Sequence, residues 1–167
     1  MTFILRWPAI LALFALALLS FLGAAASAGA LTGFDLNIGV AQVDEAEAAA
    51  RAAGASQTTW MDVALWAGAG LFFLISAVRL IRKTQGFLTW LIASALYGAN
   101  WALSQQGNVV DTVTGIDPRA YLEPQTMLSD LATPEAQVGL LGLILVVGLF
   151  IFVVDAADRA YWDRQGA

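Results

Sequence analysis

From Ala136 to Val154 the chain carries no charged side chain. As a helix this stretch would be about 28 Å long, close to the roughly 30 Å hydrocarbon core of a bilayer. Few soluble folds need such a run, whereas a lipid-immersed helix needs it to match its solvent. Three further apolar runs share the property: Ala9–Gly23, Val63–Val78 and Gly86–Leu103. Only helices and closed barrels satisfy the backbone inside lipid, and runs of this length predict helices. The expected fold is therefore an all-α integral membrane protein with four transmembrane helices and two acidic outer loops. It would have three such helices if the first were removed as a signal peptide.

Local signals set the boundaries. The first segment, residues 1–30, has Arg6 before its apolar run and Pro8 near the expected helix start, where a missing N–H costs nothing. It ends in Ala26-Ser27-Ala28, an A-x-A pattern compatible with either a cleaved signal peptide or a retained anchor. Residues 31–58 form a polar loop, with a short helix expected from the Asp44/Glu47 capping pair to Gly54. Residues 59–104 read as a helical hairpin. Thr59 and Asp62 make an S/T-x-x-D cap, and the connection from Lys83 to Gly86 is too short for anything but an antiparallel return. Residues 105–132 form a second polar loop. Thr133-Pro134-Glu135 then supplies an N-cap, an N1 proline and an acidic first turn for the last helix, 133–156, followed by a charged tail, 157–167.

Charge gives the orientation. Six of the eight Lys and Arg residues, Arg6, Arg79, Arg82, Lys83, Arg159 and Arg164, lie at the amino end, the hairpin turn and the tail. The positive-inside rule then places both termini in the cytoplasm of a bacterial inner membrane. The outer loops carry ten carboxylates against two bases, a net −8, while the inner segments come to +3. An acidic outer face suits a basic periplasmic partner, and Asp44, Glu45, Glu47, Asp117 and Glu123 are the candidate docking residues.

Functional classes are narrowed chiefly by what is missing. The sequence has no cysteine and no histidine, which removes thiolate chemistry, iron–sulfur ligation, covalent c-type haem and the usual zinc and b-type haem ligands. No ionisable residue lies deep in an apolar run, so a proton relay or ion-coupled carrier lacks its usual equipment. No nucleophile–base pair, phosphate loop or basic nucleic-acid footprint is present. The chain is expected to be no enzyme and to hold no metal or cofactor with its own side chains. Contact with lipid, quinone or pigment stays open.

What remains is a packing role. Ser94, Gly98 and Ala102 in the third segment, and Ala64 and Gly68 in the second, follow a small-x-x-x-small spacing that lets helix backbones approach closely. These faces serve either another subunit or packing within the hairpin. Asn100 is expected to hydrogen-bond to a neighbouring helix, with a pocket formed by Ser94, Tyr97 and Asn100 as the alternative. Asp155 and Arg159 stand four apart and could pair. The expected function is a non-catalytic accessory subunit of a larger respiratory or photosynthetic membrane complex, in contact with other integral membrane subunits and lipids. The alternative is a small membrane component of a transport system.

Overall fold

A computed structural model of the chain describes residues 2–32, 59–105, 109–122 and 133–165. Five helices occupy them: α1 (Thr2–Thr32), α2 (Trp60–Ile81), α3 (Phe87–Ser104), the short α4 (Val109–Thr114) and α5 (Pro134–Gln165), with a 3₁₀ turn at Pro118–Leu122 between the last two. No strand occurs among the described residues.

The four long helices form an antiparallel bundle. α1 packs against α2, α2 against α3, α3 against α5, and α5 closes back on α1. The largest interface is α1 with α2 and the sparsest of the four is α3 with α5. The core lies along the bundle axis: Ile10, Leu13, Leu16 and Ala17 from α1, Ala69, Phe73, Ala77 and Leu80 from α2, Trp90, Ala93 and Tyr97 from α3, and Ile144, Val147, Ile151 and Val154 from α5. Their spacing of three and four places them on one face of each helix.

The outward faces are equally apolar. Leu11, Leu18, Leu88, Leu145 and Leu149 are each more than half exposed. So much leucine turned outward on every long helix would be an aggregation surface in water and is the expected surface in lipid. Three helices are long and apolar enough to cross a membrane, over Arg6–Thr32, Trp60–Ile81 and Glu135–Tyr161. The expected fourth, α3, is not among them. It has only 18 residues, and they include Thr89, Ser94, Tyr97, Asn100 and Ser104.

Several ends follow the local chemistry read from the sequence. The backbone N–H of Thr59 donates to Asp62 Oδ2 at 2.6 Å, and the Thr59 hydroxyl donates to the same oxygen at 3.0 Å. Thr133 caps α5 by accepting the Ala136 N–H at 3.2 Å. α2 ends in a paired 5→2 and 6→1 backbone motif: Lys83 N–H donates to the Leu80 carbonyl at 3.2 Å and Thr84 N–H to the Arg79 carbonyl at 2.8 Å. That motif needs a left-handed residue at its centre, normally glycine, and here Lys83 adopts φ 57°.

Other boundaries differ from expectation. Helix α1 starts at Thr2, so Pro8 lies inside it rather than at its start and removes one backbone bond near the helix end. Helix α5 continues through the charged residues to Gln165, where a separate tail was expected after residue 156. Of the charges in that continuation, Asp155 and Asp158 are held by other elements of the bundle.

Candidate functional site

Two features of the bundle gather polar or open positions: a hydrogen-bonded knot at the hairpin end, and the face of α3 towards α5.

The knot centres on Gly86, the N-cap of α3. The first N–H groups of a helix have no partner within it and carry its positive dipole end. Here a carboxylate from another helix serves them: Asp155 Oδ2 of α5 accepts the N–H of Gly86 at 2.9 Å and of Phe87 at 3.0 Å. The Gly86 carbonyl in turn accepts the hydroxyls of Ser76 on α2, at 2.9 Å, and Thr89, at 2.8 Å. A Cβ at this position would lie 3.1 Å from Leu80 Cγ and 3.2 Å from Ser76 Oγ, so glycine is what fits. One turn further along α5, Asp158 forms an ion pair with Arg6 of α1. Arg6 is nearly buried, and its Nε has no hydrogen-bond partner. The pairing expected between Asp155 and Arg159 is absent: the Asp155 carboxylate is taken by the α3 terminus, and Arg159 Nε reaches only the Asp155 carbonyl, at 3.4 Å. A terminus with unfilled donors outcompetes a solvated guanidinium for a buried carboxylate.

Just past the knot, α3 touches α5 through Trp90. Its indole N–H donates to the Ile144 carbonyl at 3.2 Å, and its ring lies where a Cβ on Gly148 would be. The ideal Cβ positions of Gly98 on α3 and Gly142 on α5 meet no heavy atom within 4 Å, so both glycines border open space. Near the far end the two helices are tied again, where Trp101 Nε1 donates to Gln137 Oε1 at 3.1 Å.

This geometry separates the expected packing residues. The buried face of α3 is Thr89, Trp90, Ala93, Tyr97 and Asn100. Ser94, Gly98 and Ala102 lie beside that face and are only partly covered, while Ala95 and Ala99 are exposed. Gly68 does pack internally, its Cβ position lying 3.2 Å from Leu96 Cδ1, but Ala64 is exposed. α1 and α2 come close instead at Gly70, whose Cβ position is 3.2 Å from the Ala17 carbonyl, and at Gly23, whose Cβ position is 2.9 Å from the Trp66 ring. Asn100 is buried as expected, yet its Oδ1 has no hydrogen-bond partner. Tyr97 packs edge-on against Trp66, with centroids 5.0 Å apart, and the Ser94 hydroxyl donates to the Trp90 carbonyl at 2.8 Å. Of the candidate docking carboxylates, Asp117 is exposed and accepts the Arg119 N–H at 2.9 Å. Asp44, Glu45, Glu47 and Glu123 lie outside the described residues. Among the described residues no group of three metal-ligating side chains occurs.

The fold and its outward apolar faces define the class: an all-helical membrane protein with at least three helices able to span. Comparison of the chain with known protein families, with curated proteins and with solved structures found no match.

Proposed function

We propose that this protein is a non-catalytic accessory subunit of a larger bacterial inner-membrane complex, respiratory or photosynthetic, which it joins by packing a partner's helix along the α3–α5 side of its bundle. α3 is the fourth crossing, and both termini and the hairpin turn face the cytoplasm. The observation that carries the reading is the open Cβ position of Gly98, set in a small-residue stripe with Ser94 and Ala102 on α3, together with that of the exposed Gly142 on α5. Small residues left uncovered on one helix face allow a second backbone to approach closely, which is how helices associate in lipid. The polar groups around Gly86 support the same reading from the other side. They serve as caps, ties and backbone partners within the bundle, which leaves the outward faces as the surface available for work. The crossing by α3 is supported by its antiparallel place between α2 and α5 and by its length, about 27 Å.

A mild-detergent pull-down from native membranes, through a tag after Ala167, tests the role. The native chain is expected to bring down a stoichiometric set of cofactor-bearing membrane subunits, and Gly98→Leu to lose them while its own melting temperature holds. Recovery of the native chain alone, or only with its own copies, would contradict an accessory role.

A further inference from the structure

Where α2 turns into α3, beside the end of α5, lies an open cavity of about 280 Å³ lined by Lys83, Thr84, Gln85, Asp155, Asp158 and Arg159. Its formal charge is balanced, but its available charge is not. Asp158 is paired with Arg6, and Asp155 serves the backbone of Gly86 and Phe87. The Lys83 ammonium has no partner among the described residues, and Arg159 spends only its Nε, on a long bond to a carbonyl. With Asp158 offset by Arg6, the cavity offers a ligand two cations beside one carboxylate, Asp155, a net charge of +1, with the exposed Arg82 close by in sequence.

Size and setting narrow the ligand. Pockets for drug-sized molecules run from about 300 to 1,000 Å³, so this one takes a small group. It sits at the level where the apolar run of α5 ends. Phe152, half exposed, packs against Phe87 with centroids 5.5 Å apart, and Leu149 and Val153 are exposed next to it. Phe152, seven residues before Arg159, lies on nearly the same side of α5, so an anion held at Lys83 and Arg159 has exposed apolar surface two turns along the helix. The left-handed backbone at Lys83 adds to the case: a side chain is disfavoured at such a position, and here the residue that adopts it is a lysine lining the cavity.

We infer that this cavity binds the phosphate of an anionic membrane phospholipid, with Lys83 and Arg159 as its contacts and the acyl chains along Leu149, Phe152 and Val153. The inference needs the hairpin end to lie at a membrane surface and is independent of which complex, if any, the protein joins.

The test is thermal unfolding of the purified full chain in detergent micelles, titrated with dioctanoyl phosphatidylglycerol, dioctanoyl phosphatidylcholine or sodium phosphate. Phosphatidylglycerol is expected to raise the melting temperature saturably, well before either of the others. The double variant Lys83→Gln/Arg159→Gln should weaken that response about thirtyfold, two surface charges at roughly 1 kcal/mol each. Lys83→Gly should weaken it too, while the lipid-free protein melts no lower than the native chain; this variant decides if the double variant does not fold. Arg82→Gln, outside the cavity lining, should change it less than about twofold. An equal response to phosphatidylcholine would overturn the charge selection. An equal response to phosphate would leave an anion site with no lipid. An equal loss in Arg82→Gln would reduce the effect to diffuse charge.

Discussion

At the hairpin end, Arg6, Ser76, Asp155 and Asp158 tie α1, α2, α3 and α5 together, each through a side chain that reaches another helix or its terminus. At the opposite end the described ties between elements lie nearer the surface: Trp101 and Gln105 with Gln137, Thr112 with Gln105, and Tyr121 with the Glu135 carbonyl. Between the two, α3 and α5 touch closely at Trp90 and Gly148, while Gly98 and Gly142 border open space. In lipid, apolar contact does not itself drive helices together, so polar ties and close packing must set the register. A bundle whose register is set by such ties can leave small residues uncovered on its outer side without losing its form.

The strongest way to break this contrast is to cut the knot. Asp158→Ala leaves Arg6 buried without its carboxylate and should cost about 3 kcal/mol, the low end for a broken buried pair because Asp158 is a quarter exposed. Unfolding titrations in mixed micelles would read it. Gly148→Ala drives a Cβ into the Trp90 ring and should cost about 2–3 kcal/mol, read by the same titration together with a shift in tryptophan emission. Asp155→Ala removes the acceptor of two N–H groups at the start of α3 and should cost about 1–2 kcal/mol, with faster amide exchange at Gly86 and Phe87. At the other end, Trp101→Phe deletes one half-exposed hydrogen bond and should cost no more than about 1 kcal/mol. Gly98→Leu, with open space around it, should leave stability unchanged or raise it by up to about 1 kcal/mol, since glycine is a poor helix residue. A large loss there would show that the space beside Gly98 is filled in the folded protein.

The caps and the hairpin were legible because they depend on near neighbours. Thr59 with Asp62, Thr133 with Ala136, and the turn after Arg82 all involve residues within a helical turn or two. The spacing of Ser94, Gly98 and Ala102 likewise revealed a stripe, because every fourth residue returns to nearly the same side of a helix. Which way that stripe faces was not legible, for it depends on how α3 is rotated within the bundle. The same limit hid the knot. Asp155 lies 69 residues from Gly86, and Asp158 lies 152 from Arg6. Local reasoning therefore gave Asp155 to Arg159, four residues away, when a helix terminus in another part of the chain had the stronger claim. The average hydropathy of α3 also hides its placement: Thr89, Tyr97 and Asn100 lower it, and all three are buried against neighbouring helices.

Whether α3 crosses the membrane decides the architecture on which the rest depends. The 167 residues contain no cysteine, so single replacements at Gln85, in the exposed hairpin turn, and at Val113, exposed on α4, each report one place. In sealed spheroplasts a membrane-impermeant maleimide is expected to label Val113→Cys and spare Gln85→Cys, with the pattern reversed in inverted vesicles. Labelling of both from the same side would mean that α3 does not cross, and would contradict the four-helix crossing.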